Sequence, residues 1–210
     1  MNANVVSNGK ISAAAGDAAN DQAIYRGKYV RLVAYDPEQD AAAMARWNQD
    51  SQYQQLLGSG PAALWTPKQI KEWMEKHIDE FYGFSIHALD DDRLIGNLDL
   101  SGVDWVARNC WIGIGIGERD YWGKGYGTEA MNLALRFAFD CLNLNRVTLS
   151  VFEYNQRAYL SYCKCGFKEE GRMRQWMQRG GERFDLIFMG ILREEWEARQ
   201  KEFPNQVEQT

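Results

Sequence analysis

The stretch Cys110–Thr128, CWIGIGIGERDYWGKGYGT, decides how the rest of the chain is read. In its first half Ile112, Ile114 and Ile116 alternate with Gly113, Gly115 and Gly117. Strand side chains alternate between faces, so a strand over Cys110–Gly117 has one packed face and one face stripped of side chains. Glycine weakens a strand and marks a bulge or the close approach of another group. Two occupants suit the bare face: a slender ligand bonded to the strand backbone, or a bulky neighbour such as an aromatic ring. In the second half Gly123, Gly125 and Gly127 alternate just before a helix. Glycine permits φ > 0, so successive N–H groups turn toward one point. The first turn of the helix adds partial positive charge. Together they form an anion site suited to a pyrophosphate, with Lys124 to add charge and Thr128 to add a hydroxyl. A Walker A loop requires Ser or Thr after its lysine, and here Gly125 follows Lys124. A dinucleotide loop requires GxGxxG after the first strand, a spacing that GKGYG lacks.

Working outward, elements alternate on both sides. Tyr29–Val33 reads as a strand. Asp36 and Pro37 give a helix start, and the helix ends near Asp50. Thr66 and Pro67 repeat that signal before Ile70, Trp73, Met74, His77 and Ile78 at helical spacing. Phe84–Leu89 and Arg93–Leu100 form a hairpin across Asp90-Asp91-Asp92. Beyond the glycine loop, Glu129–Cys141 carries one apolar helical stripe. Arg146–Val151 is a strand, and Gln156–Lys164 is a short helix stopped by Gly166. Arg172–Gln178 and Arg183–Ile191 are strands joined at Arg179-Gly180-Gly181, and Arg193–Lys201 is a closing helix. This order predicts an α/β (α+β) domain over residues 25–202. Its mixed, mostly antiparallel sheet has about seven strands and helices on both faces. Residues 1–24, rich in Asn, Ala, Ser and Gly, and residues 203–210 read as loose tails.

The 210 residues suit one domain. Hydrophobic residues make up 45% and charged residues 25%, so a core forms without staples. Most of the eight tryptophans and ten tyrosines are expected to pack, with some left to line a binding surface. A net charge of −5 argues against a nucleic-acid binder. Cys110, Cys141, Cys163 and Cys165 have the spacing of neither a disulfide framework nor a zinc site. With two histidines in different elements, His77 and His87, no metal site is expected. No apolar run is long enough for a membrane span and no secretory signal is visible, so the chain reads as cytoplasmic.

About thirty residues beyond the loop stands VFEYNQRAYLSYCKCGF, Val151–Phe167. The pair WGKGYGTEA and NxxAxxxYxKxGF resembles the GCN5-related N-acetyltransferase (GNAT) family, in its branch of ribosomal-protein N-terminal acetyltransferases (RimJ/RimL-type). The resemblance extends over RLVAYDPEQD, DDRLIGNLDL and LREEW. It implies a sheet splayed in the middle and acetyl-CoA as co-substrate. The pantetheine arm would follow the strand at Ile114 and Ile116. The pyrophosphate would meet the loop Trp122, Gly123, Lys124, Gly125, Tyr126, Gly127 and Thr128. Asn155 matches a cofactor-contacting position, and Tyr162 matches the tyrosine that protonates the leaving thiolate. A phenol of pKa about 10 suits a thiol of pKa about 8.5 in that role. A backbone N–H near Ile116 would polarise the thioester carbonyl.

Two positions depart from the pattern. Trp122 stands where the loop commonly opens with Gln or Arg. Trp111 stands where the branch often carries a glutamate that serves as general base. Asp99 on the preceding strand is then the candidate base, with a water relay as the other route. A missing base favours an amine of low pKa, such as a protein α-amine, over a lysine. The expected activity is acetyl transfer from acetyl-CoA to a primary amine, on a small molecule or a protein N-terminus, by direct attack in a ternary complex. The chain is expected to work as a monomer or homodimer. The alternative is a non-catalytic acyl-CoA sensor, which Trp111 would suit. Acceptor specificity is expected from Asn48–Trp65 and from loops near Trp105 and Arg174.

Overall fold

The computed structural model describes residues 24–60 and 63–202. The tails expected over residues 1–24 and 203–210 lie outside the described residues, Ile24 excepted. Seven strands form one sheet in the order β1-β2-β3-β4-β5-β7-β6. They are β1 (Val30–Ala34), β2 (Phe81–Ala88), β3 (Leu94–Asp104), β4 (Asn109–Ile116), β5 (Arg146–Phe152), β6 (Lys168–Arg179) and β7 (Glu182–Leu192). Every neighbouring pair is antiparallel except β4 and β5. Among the described residues these helices accompany the sheet: α1 (Pro37–Trp47), α2 (Ser51–Leu57), α3 (Pro67–His77), α4 (Tyr126–Arg136), α5 (Gln156–Cys165) and α6 (Arg193–Glu202). No described helix is long and apolar enough to cross a membrane.

The helices start where short polar side chains meet the first amides. Asp36 accepts from the N–H groups of Glu38 and Gln39, ahead of Pro37. Thr66 and Gln69 form a reciprocal capping box at α3. Asp50, expected near the end of α1, instead caps a separate helix: its Oδ1 accepts from Gln52 N at 3.0 Å and Tyr53 N at 3.2 Å. The guanidinium of Arg119 beside it holds its carboxyl down to about 2. Two boundaries also move. Helix α4 opens at Tyr126, inside the glycine loop, and ends in a π-helical turn over Phe137–Cys141. Strand β6 begins at Lys168, before the expected Arg172.

One face of the sheet packs on α4. Ala130, Leu133, Ala134 and Phe137 meet Ile86, Leu98, Ile112 and Val147 in a continuous buried cluster. Glu129, in the first turn of α4, is buried there too. Its carboxylate accepts from the N–H groups of Lys28, Tyr29 and Val30 at 2.9, 2.7 and 2.8 Å, which fastens the start of β1 to the glycine-loop helix. A smaller cluster of Ala41, Ala45, Ile70 and Met74 joins α1 to α3.

The splay between β4 and β5 positions the site. The two strands pair only at Asn109↔Arg146, Cys110↔Val147 and Trp111↔Thr148. β4 runs on beside β3 to Ile116, while β5 stays with β7 to Phe152. Past Trp111 the sheet opens.

Candidate active site

The gap leads into a cleft of about 450 Å³. One side is β4 from Ile112 to Ile116, and the other is Ser150, Val151 and Phe152 of β5. The direction of the β4 amides follows from the ladder. Gly117 N–H bonds to Ile95 O at 2.8 Å, on the β3 side. Amides alternate edges along a strand, so the N–H groups of Ile114 and Ile116 turn toward the gap.

The cleft continues to the glycine loop. Gly123 and Gly125 have φ of 73° and 96°, which only glycine adopts at little cost. Gly125 is the N-cap of α4 and brings no capping side chain. The first intrahelical bond belongs to Glu129 N–H, which reaches Gly125 O. The amides of Tyr126, Gly127 and Thr128 therefore open the helix ahead of its ladder. Trp122 Nε1 donates to Ile116 O at 2.7 Å, tying the loop to the end of β4. Thr128 Oγ1 lies 2.8 Å from Ser161 Oγ on α5.

Helix α5 is the far wall. Asn155 is its N-cap, accepting from Ala158 N at 3.3 Å while its Nδ2 donates to Leu56 O at 3.4 Å. The Tyr162 side chain lines the cleft, with its ring 6.1 Å from Phe167. Burial raises its hydroxyl above the ordinary phenol range. Arg157, which the motif reading passed over, sits with its guanidinium 3.8 Å from the centroid of the Trp122 ring, and burial lowers its pKa. A cation thus stands over the aromatic residue that opens the loop.

The structure brings Ile114, Ile116, Trp122, Gly123, Gly125, Gly127, Thr128, Asn155 and Tyr162 to this cleft. It does not bring the side chains of Lys124 or Tyr126. Lys124 is exposed outside the lining. The Tyr126 ring packs edge-on against Tyr121 and its hydroxyl reaches Asp90 at 3.3 Å.

Asp99 belongs to a second cavity, of about 510 Å³, on the opposite face of the sheet. There the bare face of β4 finds its neighbours. A Cβ on Gly117 would lie 2.0 Å from Trp47, and one on Gly115 would lie 2.6 Å from Tyr53 Oη. A Cβ on Gly113 would lie 3.1 Å from Asp99 Oδ1. Bulky neighbours thus cover Gly115 and Gly117, and a carboxyl faces Gly113. Asp99 pairs with Gly113 in the ladder. Burial raises its pKa, against a smaller lowering by the Ser101 hydroxyl.

Tyr53 and Leu57 line both cavities and stand between them. Both come from α2, the helix that sequence reading missed. Its position is fixed from several sides. Tyr154 Oη donates to Gln55 O at 2.6 Å, and Arg179 Nη2 donates to Gly58 O at 2.7 Å. The signal that could have revealed α2 is Asp50 followed by Tyr53, Leu56 and Leu57, an N-cap ahead of an i, i+3, i+4 apolar triplet. Within the region expected to set specificity, Asn48, Tyr53, Leu57 and Trp65 line the second cavity. Trp105 and Arg174 do not.

A family model described as an acetyltransferase (GNAT) domain matches residues 30–168. The chain belongs to this family. Among relatives of this GNAT chain, YdaF of Bacillus subtilis, provisionally named a ribosomal N-acetyltransferase, is 32% identical over 129 residues. That match covers 61% of this chain and 69% of YdaF. The spermidine N(1)-acetyltransferase of Vibrio cholerae is 30% identical over 129 residues, covering 61% and 74%. A crystal structure of the Vibrio cholerae spermidine N-acetyltransferase in complex with CoA and spermine aligns with a TM-score of 0.72 at 25% identity. It covers 80% of this chain and 97% of that one. This GNAT chain is an acetyltransferase that uses acetyl-CoA as co-substrate and delivers the acetyl group to an amine. The loop of left-handed glycines, the uncapped first turn of α4 and the open β4 edge fit that co-substrate.

Proposed function

We propose that the first cleft receives acetyl-CoA, the second receives a cationic primary amine, and transfer is direct across the Gly113–Gly115 face of β4. The observation that carries this reading is the pair of cavities sharing the Tyr53–Leu57 wall, with Asp99 on one side and Tyr162 on the other. The backbone of Gly123–Thr128 would hold the pyrophosphate, with Arg157 as the nearby cation and Asn155 fixing the start of α5. Acetyl-CoA supplies the acetyl group as a thioester.

Asp99 takes a proton from the entering ammonium. Its raised pKa makes it a stronger base than a surface carboxylate, and base strength matters because an alkylammonium releases its proton reluctantly. Ile116 N–H donates toward the carbonyl oxygen as charge builds there. The new C–N bond forms as the C–S bond breaks, Tyr162 delivers its proton to the departing sulfur, and the second proton released as the attacking nitrogen becomes an amide passes through solvent to restore the Tyr162 phenol. Burial keeps the phenol protonated until the leaving group forms beside it, and the same burial disfavours a bare thiolate, which draws the proton across. The names of the relatives leave both a polyamine and a protein N-terminus as acceptor classes. Two carboxylates, Asp99 and Glu80, and no lysine or arginine among the residues lining the second cavity favour a cation. We place the reaction in the cytoplasm, in keeping with cysteines spaced for neither disulfides nor zinc.

The test is Tyr162→Phe. We expect kcat to fall about 100-fold at neutral pH with the Kd for acetyl-CoA unchanged. Unchanged kcat would remove Tyr162 from the acid role.

A further inference from the structure

The second cavity has an unusual lining for a site that accepts a cation. Trp73 lies near-parallel to His77, with centroids 5.1 Å apart at 27°, and near-parallel to Phe81 at 6.1 Å and 22°. Trp65 meets Trp73 edge-on at 6.5 Å and 62°, and Phe81 meets Tyr35 at 5.9 Å and 72°. These rings form one connected wall. Their polar counterpart is at the floor, where Asn97, Asp99 and Ser101 project from alternate positions of β3. Asn97 Nδ2 is committed to Tyr35 Oη at 3.1 Å, and Ser101 serves Asp99. Asp99 is therefore the floor group left to meet an ammonium. The other carboxylate, Glu80, is exposed at the rim.

A linear polyamine carries several ammoniums along a slender chain and calls for carboxylates at matching intervals. This wall offers aromatic surface over that interval instead. Trp73 stacks on His77 and Phe81, which takes up part of its faces and leaves ring edges among the surfaces that meet a ligand. Ring edges carry partial positive charge and pack against the face of another ring. They do not attract a second ammonium, which prefers an open face. A cavity of about 510 Å³ is also within the range that holds a ring-bearing small molecule.

From the ring wall and the single floor carboxylate we infer that the acceptor is an arylalkylamine, a primary amine on a short arm from an aromatic ring. The ring lies against Trp65, Trp73 and Phe81, and the ammonium reaches Asp99 beside Gly113. This inference rests on the acetyltransferase reading of the paired cavities and names the acceptor class for it. The transfer balances as above: the ammonium loses one proton to Asp99, the nitrogen gains the acetyl group and releases a second proton that restores the Tyr162 phenol, and CoA leaves as the thiol.

The experiment compares kcat/KM for 2-phenylethylamine, n-butylamine and spermidine with the full-length chain and saturating acetyl-CoA, following thiol release. We expect 2-phenylethylamine to exceed both others by about tenfold or more. Trp73→Ala should abolish that preference and Trp73→Phe should retain it. Trp73 and Trp65 are 42% and 38% exposed, so the truncation leaves the main core intact. Quenching of tryptophan fluorescence by 2-phenylethylamine, lost in Trp73→Ala, gives a readout independent of turnover. Turnover with n-butylamine or spermidine equal to or better than 2-phenylethylamine would overturn the acceptor class and leave the acetyltransferase reading intact. A preference for 2-phenylethylamine that survives Trp73→Ala would overturn the ring wall as its source. Failure to bind acetyl-CoA would overturn both readings.

Discussion

Replacing Gly115 by alanine tests whether the two cavities meet at a rigid wall. The new Cβ would stand 2.6 Å from Tyr53 Oη, 3.0 Å from Leu57 Cδ1 and 3.3 Å from Tyr53 Cε2, where ordinary contact begins near 3.4 Å. Tyr53 is 5% exposed, and its helix is pinned by Asp50, Tyr154, Asn155 and Arg179. The ring cannot swing into solvent without carrying α2 along. Overpacking of this kind costs about 1–3 kcal/mol, or a fall in Tm of roughly 2–12 °C at about 2–4 °C per kcal/mol for a chain of this length. Relief requires a wall displacement of about 1 Å, and misplacement on that scale reduces catalysis about 100-fold. The glycine loop lies outside the disturbance, but Gly115, Tyr53 and Leu57 also line the first cleft, so acetyl-CoA affinity should fall less than amine kcat/KM. Thermal melts, calorimetric titration with acetyl-CoA and amine kinetics separate these effects. Gly171→Ala is the control, since nothing lies within 4 Å of its Cβ. Gly115→Ala with unchanged Tm and unchanged amine kcat/KM would refute the rigid wall and the meeting of substrates there.

Three further outcomes follow from the same geometry. Asp99 is held above the usual carboxylate range by burial, so the folded state binds its proton more readily than the unfolded chain. Stability from this group is then lost as pH rises through that interval, and Asp99→Asn should raise Tm at pH 7 in melts while lowering kcat/KM about 100-fold. In the wild type, the acid limb of the pH–kcat/KM profile should lie above the pKa of a free aspartate. Arg157→Gln should weaken acetyl-CoA about tenfold, more at low salt than at high, because a charge-assisted contact with phosphate is lost; calorimetry at two ionic strengths checks this. Glu129→Ala removes the acceptor of three amides and should cost about 2–4 kcal/mol, since Val30 N–H is buried and the others are partly solvated. Urea unfolding measures it.

The alternation of isoleucine and glycine in β4, and the glycines before α4, were legible because each follows from a local period. So were the capped starts of α1 and α3. What covers the bare glycine face was not legible. Trp47 and Tyr53 reach it from more than sixty residues away in sequence, and α2 offers seven residues with only three apolar side chains. Asp50, read as an ending, is a beginning, because a cap is recognised by the amides it accepts from. The first residues of β6, KEEGRM, are exposed, and a strand with two solvated faces has no alternation to find. Glu129 shows the same limit: its position in α4 was plain, but its partners around Tyr29 are about a hundred residues away. Arg157 was hidden by the motif around it, since only the fold sets it above Trp122.

The most direct test of direct transfer between paired clefts is a rapid-quench single turnover, with enzyme in excess over acetyl-CoA labelled in its acetyl group. Without amine, the expected result is bound acetyl-CoA, no released CoA and no label on protein. Adding 2-phenylethylamine should then release one CoA for each acetylated amine. Release of CoA with labelled protein before amine is added would contradict direct attack, and tight binding with no turnover on any amine would mark the chain as a sensor of acyl-CoA.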